Sequence, residues 1–294
     1  MIRVDYCKTG PAAAMKSLLR YLPLSLAVRE AMRMRALADV QGLETPALDI
    51  GCGDGLFWEV VTRQYVEKNE SMLDGLLGID INQHELELAS VRLADKGVDL
   101  KSIDISDREQ IHSLEELRGR FRTVMANCSI EHVPNLDSSL ANIRTLLKDG
   151  DSHFYLFVPA PNWTETLAVK RFIRRFSPRL AGMYGGMLDG FFQHHHLYQA
   201  YVWKHLLEGN GFSEVKIVGL GSKAANRLFE HWLLPAFGSF FVKGLVKRYP
   251  SMFQGVKSKY IQGEAQFIRE IGDGSFITDV KNENVVEYFI SCKK

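Results

Sequence analysis

The stretch "ALDIGCGDG", Ala47–Gly55, decides the fold of this chain. Its first four residues are typical of a short buried strand, and the glycines that follow are typical of a ligand-binding turn. A loop that binds the pyrophosphate of a dinucleotide has the spacing G-x-G-x-x-G before a helix. Gly51 and Gly53 fit that spacing, but Gly55 comes one position early and Leu56 stands at the sixth place. The spacing therefore argues against a dinucleotide, and a glycine turn without any ligand remains the plain alternative.

Predicted strands and helices alternate around this loop as far as Pro161. Buried strands separated by helices of ten or more residues predict βαβ units, and therefore a parallel sheet with right-handed crossovers. After Pro161 the rhythm changes, and we expect two insertions that form a cap. The predicted organisation is an N-terminal helical extension (1–43), a Rossmann-like α/β core (44–161), an insertion (162–199), a core helix and strand (200–220), a second, mostly helical insertion (221–283) and a final core strand (284–294).

An aspartate lies at or near the end of each of the first three predicted strands. Asp49 belongs to "ALDI", Asp80 to "LLGIDI" (76–81) and Asp104 to "VDLKSIDI" (98–105). Ligands of open α/β sheets bind at the carboxyl ends of the strands, where these acids suit an ammonium, two ribose hydroxyls and an adenine amino group. Ile81 and Ile105 follow two of them and are placed to sandwich a flat ring. Together they predict S-adenosylmethionine as the cofactor, although each acid alone is also typical of a turn or helix cap.

Composition and charge exclude several kinds of partner. The net charge of the 294-residue chain is only +1, so we expect no nucleic-acid partner. The four cysteines are scattered without a C-x-x-C pair, which argues against a zinc site and against a disulfide framework. The first ten residues lack the apolar core of a signal peptide, and no apolar run reaches the ~20 residues of a membrane span. We therefore expect a cytoplasmic protein.

Several motifs of the chain carry a family resemblance. "LDIGCGDG", "GIDI", "SIDI" and the block Phe121–Pro161 resemble the successive motifs of class I S-adenosylmethionine-dependent methyltransferases. Within that block, Asn127, Glu131, His132 and Pro134 resemble the small-molecule branch that includes the ubiquinone-biosynthesis methyltransferases. The resemblance implies a seven-stranded, mostly parallel sheet whose last strand is antiparallel and lies beside strand six.

The resemblance also assigns roles to residues and shows two departures. Arg122 stands where many relatives carry an aspartate, and "DGD" (149–151) replaces a proline-glycine-glycine turn. The residues implied to bind the cofactor are Asp49, Gly51 and Gly53 at the methionine part, Asp80 and Ile81 at the ribose, Asp104 and Ile105 at the adenine, and Asn127 below the cofactor.

Three residues are candidates for catalysis. His132 follows the fourth strand and is the first candidate for the base that an oxygen nucleophile requires, because its unperturbed pKa is ~6.5. Its alternative role is to cap the turn into the next helix. Glu131 is a candidate for orienting the substrate or the base. In the run 194–196, consecutive side chains cannot share one metal ion, so we expect no metal and select His194 or His196 at the mouth of the site.

The two insertions are rich in aromatic residues, which favours either a packed cap or a pocket for an apolar acceptor. The segment 228–248 allows a weak contact with a membrane surface, although Glu230 and Pro235 interrupt it. "VKRFIRRFSPR" (169–179) alternates basic residues with phenylalanines, which suits an anionic group of the acceptor or a solvated helix face.

The sequence therefore predicts a methyltransferase that acts on a small molecule. We expect O-methylation of an apolar, aromatic, sugar or lipid-linked compound. The alternatives are a methyltransferase for proteins or nucleic acids, and a scaffold that binds the cofactor without catalysis.

Overall fold

A computed structural model describes residues 2, 15, 18–19, 22, 24–40, 43–63, 73–107, 109–110, 115–192, 194–230 and 265–294. Its strands are β1 (Ala47–Ile50), β2 (Leu76–Asp80), β3 (Val98–Ser102), β4 (Thr123–Asn127), β5 (His153–Pro159), β6 (Ser213–Leu220), β7 (Ile277–Thr278) and β8 (Glu287–Lys293). Its helices are α1 (Leu24–Ala38), α2 (Leu56–Arg63), α3 (Gln83–Arg92), α4 (Leu136–Leu146), α5 (Ala168–Phe176), α6 (Pro178–Phe192), α7 (Ala200–Gly209) and α8 (Ala265–Asp273). Short 3₁₀ turns cover Glu115–Leu117, Ile130–His132 and Trp163–Thr166.

The strands form one twisted sheet with the order β3-β2-β1-β4-β5-β8-β6-β7. Strands β1 to β5 pair in parallel, whereas β8 is antiparallel to both of its neighbours, β5 and β6. Ile50, at the end of β1, is in register with Ile79 and Ala126, so β1, β2 and β4 end together at one edge of the sheet. This confirms the Rossmann-like α/β fold and the antiparallel last strand next to β6.

The sheet has eight strands in the described residues, whereas seven were expected. The additional strand, β7, consists of Ile277 and Thr278 and pairs only with the end of β6. Two residues are too few to produce the alternating pattern from which strands are predicted. The correction adds an edge strand and leaves the predicted order of the others unchanged.

The third strand is shorter than its sequence suggests. It ends at Ser102, not at Ile105, because the Asp104 carboxylate accepts hydrogen bonds from the backbone N–H and the hydroxyl of Ser106. This local turn replaces the ladder that would continue the strand. The first insertion, in which we identified no clear period, is mostly helical and contains α5 and α6.

Alternating side chains of β5 show how the sheet is buried on both faces. Tyr155 and Phe157 belong to the core that α1 and α2 cover. Phe154, Leu156 and Val158 belong to the core on the other face, with residues of α4 and α7. Because successive side chains of a strand point to opposite faces, one apolar strand supplies both cores. The sheet is therefore covered by a hydrophobic core on each of its two faces.

The two departures from the family pattern contact each other. Arg122 precedes β4 and its guanidinium lies 3.1 Å from the carboxylate of Asp149, in the turn before β5. The positive charge of Arg122 is thus paired with the negative charge of Asp149. Within the described ranges, no helix has both the length and the apolar character needed to cross a bilayer.

Candidate active site

The glycine loop after β1 has a backbone that only glycine adopts easily. Gly51 and Gly53 have φ angles of +73° and +54°, in the left-handed region. A Cβ on Gly51 would lie 2.3 Å from the Cβ of Ser129, so the loop packs directly against the end of β4. A Cβ on Gly53 would have no atom within 4 Å. The first glycine therefore serves close packing, and the second leaves open space beside the loop.

Asp49 is a buried acid inside β1. Its Oδ2 accepts a hydrogen bond of 2.7 Å from Nε1 of Trp58, in α2. Burial raises the pKa of Asp49 to about 7, against the opposing effect of that hydrogen bond. Its Oδ1 is buried without a hydrogen-bond partner in the described part of the chain. A buried acceptor without a donor is costly unless a ligand supplies one, and an ammonium would do so.

Asp80 connects the ends of β1 and β2. Its Oδ2 accepts from the backbone N–H of Gly53 at 2.9 Å, and its Oδ1 accepts from Asn82 N–H at 2.8 Å. Each carboxylate oxygen has a second lone pair, so both can still accept hydroxyl donors. Asn82 in turn caps α3 through its own side chain. The acid predicted to bind ribose thus also fixes the glycine loop.

The predicted adenine residues lie at the next strand ends. Ile81 is 72% exposed after β2, whereas Ile105 is 4% exposed and packs in the core that contains Trp203. The Asp104 carboxylate uses Oδ1 for its bonds to Ser106. Ile81 therefore offers a large apolar surface to a ring, and the contribution of Ile105 and Asp104 to an adenine pocket stays a prediction.

Asn127, at the end of β4, is held by the N-terminal helix. Its Nδ2 donates to Oε1 of Glu30, in α1, at 2.9 Å. Oε2 of Glu30 accepts from Nη1 of Arg33 at 3.0 Å. Helix α1 therefore covers the carboxyl edge of the sheet directly above β4, the strand predicted to support the cofactor.

A buried ion pair anchors the same helix to the last strand. Nε and Nη2 of Arg33 donate to the two carboxylate oxygens of Glu287, at 2.9 and 2.6 Å. Burial would raise the pKa of Glu287, but the guanidinium groups of Arg33 and Arg29 hold it below its usual value. Glu287 is therefore charged, and α1 is fixed over the edge formed by β5 and β8.

The three predicted catalytic residues lie together beyond β4. His132 is 39% exposed, its Nε2 lies 3.7 Å from Oε1 of Glu131, and its ring stacks on that of His194 with centroids 6.0 Å apart. Burial raises the pKa of Glu131 to about 8, so this carboxyl is mainly neutral at pH 7. Its backbone carbonyl accepts from the N–H groups of His195 and His196, which brings the histidine run to the site.

Aromatic residues hold His194 in place. Its ring stacks on Phe192 at 5.6 Å and meets the edge of Trp163 at 5.8 Å. Asp189 accepts from Nε1 of Trp163 at 2.8 Å and lies 3.5 Å from Nδ1 of His194. His196 contacts the carbonyl of Val133 instead, 2.8 Å away. Of the two histidines selected from the run, His194 is the one stacked on His132.

The helix after β4 is capped by another residue than His132. The side chain of Asn135 accepts from the N–H of Ser138 at the start of α4. His132 ends the preceding 3₁₀ turn, and its side chain is not the cap. Asn135 therefore has the helix-capping role that we considered for His132.

Buried polar atoms that make no hydrogen bond cluster among these residues. Within the described ranges the cluster includes Oδ1 of Asp49, Oδ1 of Asn127, Oε2 of Glu131, Nδ1 of His194, and Nε and Nη2 of Arg29. The set contains both hydrogen-bond acceptors and hydrogen-bond donors, as a site for a polar ligand requires. The same ranges contain no group of three or more metal-ligating side chains.

Sequence reasoning missed the polar face of α1 and its partner in β8. Arg29 and Arg33 are four residues apart, which places them on one helix face. Glu287 is an acid within an apolar final strand, which is a signal for a buried partner. These two signals could have been paired, although nothing in the local spacing says that they meet.

Comparison with known proteins identifies the family. The chain matches the family described as "Methyltransferase domain" over residues 16–217, which is more than half of its length. A search of curated proteins gave no match.

Solved structures share the fold at low identity. The [4+2]-cyclase SpnF has a TM-score of 0.52 and 15% identity, over 91% of this chain and 81% of its own. A Thermotoga maritima protein, described as a SAM-dependent methyltransferase and possible histamine N-methyltransferase, has a TM-score of 0.50 and 12% identity, over 94% of this chain and 91% of its own.

A third similar structure is much longer than this chain. Phosphoethanolamine N-methyltransferase 2 of Haemonchus contortus has a TM-score of 0.46 and 15% identity over 84% of this chain, which spans 48% of that protein. These likenesses concern the fold, and the family match covers the strands that carry the site. The chain belongs to the methyltransferase-domain family, with the fold of class I S-adenosylmethionine-dependent methyltransferases.

Proposed function

We propose that the chain binds S-adenosylmethionine at the carboxyl ends of β1, β2 and β4 and transfers a methyl group to a small molecule. The observation that carries this proposal is the cluster of unpartnered buried polar atoms beside an open glycine loop. The family match supports the same chemistry.

The described residues fit the parts of this cofactor. Oδ1 of Asp49 suits the ammonium, and the space beside Gly53 suits the methionine chain. The second lone pairs of Asp80 suit the ribose hydroxyls, and Ile81 offers its exposed side chain to the adenine. When bound, S-adenosylmethionine supplies an electrophilic methyl group on a sulfonium.

His132 is placed to remove the proton of an oxygen nucleophile. Its partial exposure at the end of β4 leaves it accessible to an acceptor, and its stacking on His194 fixes the ring. The carboxyl of Glu131 lies beside His132 and is mainly neutral at pH 7. It is therefore better suited to form a hydrogen bond with the acceptor than to form an ion pair with a positively charged group. Alignment by such side chains supplies most of the catalysis, since a sulfonium is already a good leaving group.

The acceptor is a small molecule with apolar character. The aromatic side chains of Trp163, Phe192 and Phe229 meet edge to face, and Trp163 contacts His194. The resemblance of the block after β4 to ubiquinone-biosynthesis methyltransferases supports this class of acceptor. The near-zero net charge does not favour a polyanionic one. We propose that the described parts of the two insertions, 162–192, 194–199, 221–230 and 265–283, cap this part of the site, whereas residues 193 and 231–264 lie outside the described residues. The segment suggested for membrane contact, 228–248, lies outside the described residues beyond position 230.

Transfer of a labelled methyl group tests this function. Purified chain is incubated with methyl-tritiated S-adenosylmethionine and a cell extract separated by mass into small molecules, protein and nucleic acid. We expect label in the small-molecule fraction, extractable into organic solvent. Label confined to protein or nucleic acid would contradict the proposal, and so would the absence of transfer to every fraction while the cofactor binds.

A further inference from the structure

Two arginines of α1 use the same face of the helix but differ in their partners. The side-on fork of Arg33, formed by Nε and Nη2, binds both oxygens of the Glu287 carboxylate. The equivalent atoms of Arg29, one turn earlier, are buried and have no hydrogen-bond partner in the described part of the chain. Only Nη1 of Arg29 approaches Glu287, at 3.4 Å. The fork of Arg33 is thus occupied by a carboxylate, whereas the fork of Arg29 is not.

Aromatic rings fix the plane of the Arg29 guanidinium. Its Cζ lies 3.9 Å from the ring centroid of Phe229 and 4.8 Å from that of Trp163. The Arg29 side chain is only 6% exposed, so bulk water does not supply hydrogen-bond acceptors for its Nε and Nη2. A buried guanidinium with an unfilled fork is costly, and a planar carboxylate is the ligand whose geometry matches it.

The position of Arg29 indicates which of the two ligands, the methyl acceptor or the cofactor, it binds. Its neighbours Trp163 and Glu287 belong to the region after β5 and to the start of β8. Trp163 also contacts His194, which stacks on the candidate base His132. Asp49 and Asp80, the acids that suit the ammonium and the ribose of the cofactor, lie instead on β1 and β2. We propose that Arg29 binds a carboxylate group of the methyl acceptor, a proposal that rests on the proposed function of the site.

Binding of a simple aromatic acid tests this assignment. Benzoate and its neutral analogue benzamide are titrated into wild-type protein saturated with S-adenosylhomocysteine, and binding is followed by NMR. The titrations are repeated for Arg29→Gln and Arg29→Lys, with Arg35→Gln in the same helix as the control. We expect benzoate to bind the wild type and to lose about tenfold or more in affinity in both Arg29 variants, because neither restores a charged fork. Benzamide binding should change little.

Several results would overturn the assignment. Equal benzoate affinity in wild type and Arg29→Lys, or no benzoate binding to the wild type, excludes a carboxylate site. If S-adenosylhomocysteine loses affinity in the Arg29 variants by the same factor, the fork holds the carboxylate of the cofactor instead. If the wild type does not bind S-adenosylhomocysteine at all, the proposed function fails, which calorimetry without benzoate shows separately. Arg29→Lys keeps the buried charge, so it provides the result if Arg29→Gln does not fold.

A second, independent observation concerns the outer surface of the first insertion. Large apolar side chains are exposed along α5 and α6, which is unusual for a surface in contact only with water. Phe172 and Phe176 are one turn apart on α5, with ring centroids 5.2 Å apart, and Phe176 is 76% exposed. The apolar face of this helix pair consists of Phe172, Phe176, Leu180, Met183 and Met187.

Basic residues accompany this apolar face. Arg171, Arg175 and Arg179 are all exposed on the same helix pair. Their local positive charge contrasts with the near-neutral chain as a whole. Exposed phenylalanines beside arginines are characteristic of helices that lie in the interface of a bilayer and attract anionic lipid. We infer that the apolar face of α5 and α6 binds an anionic lipid surface. Helix α6 also contacts the candidate site, because its Asp189 accepts a hydrogen bond from Trp163.

Sedimentation with vesicles tests the inference. The 294-residue chain is mixed with vesicles of phosphatidylcholine alone, or of equal parts phosphatidylcholine and phosphatidylglycerol. We expect binding to the anionic vesicles that weakens with salt, and a several-fold lower bound fraction for Phe172→Glu/Phe176→Glu. Val91→Glu, at another exposed apolar residue on α3, is the matched control.

Three results would contradict binding of this face to a lipid surface. No binding to anionic vesicles, or equal binding of wild type and the double variant, overturns the inference. A wild-type dimer that the double variant converts to a monomer, without vesicle binding, would show that a second copy of the chain covers this face.

Discussion

Asp80→Ala should nearly abolish binding of S-adenosylhomocysteine. The carboxylate is expected to accept two ribose hydroxyls, and hydrogen bonds to a charged group contribute ~1.5–3 kcal/mol each, so the loss is several kcal/mol. Asp80 also accepts from the N–H groups of Gly53 and Asn82, so the alanine variant loosens the glycine loop as well. Isothermal calorimetry measures the change in affinity.

A control separates the ligand contact from the structural one. Asn82→Ala removes the cap of α3 but leaves the Asp80 carboxylate in place. We expect it to lower the free energy of unfolding by ~1 kcal/mol and to change the affinity little. An Asp80→Ala protein that binds S-adenosylhomocysteine within about twofold of wild type would remove Asp80 from the site.

His132→Ala should lower turnover by about 10²–10⁴-fold while leaving cofactor affinity unchanged, because general-base catalysis contributes that much. The measurement uses the acceptor fraction found by methyl transfer, across a pH series. His205→Ala, an exposed histidine on α7, serves as the control.

Glu131 provides a further comparison at the same site. Because burial raises its pKa to about 8, the carboxyl carries little charge at pH 7, and Glu131→Gln should be milder there than His132→Ala. Turnover of His132→Ala equal to wild type at every pH would show that the base lies elsewhere.

The core fold follows from local patterns in the sequence. The strand "ALDI" and its glycines, Gly51 and Gly53, predicted the turn that the φ angles show. The strand ends predicted a shared edge, since parallel register aligns them. Local patterns were less informative at β7, which has two residues. In α5 the apolar residues Val169, Phe172 and Phe176 do follow helical spacing, and this signal was missed.

The polar contacts over the site could not be predicted in the same way. Arg33 and Glu287 are 254 positions apart, and only the tertiary fold brings them together. The position of Asp49 was predicted, but its hydrogen bond to Trp58 depends on how α2 packs on β1. Strand-end acids are therefore visible in sequence, whereas the hydrogen-bond partners that tertiary packing gives them are not.

Calorimetric titration of the purified wild-type chain with S-adenosylhomocysteine, and in parallel with NAD, tests the central claim most directly. We predict saturable one-to-one binding of S-adenosylhomocysteine and no detectable heat from NAD. Saturable binding of NAD, with none of S-adenosylhomocysteine, would contradict the account.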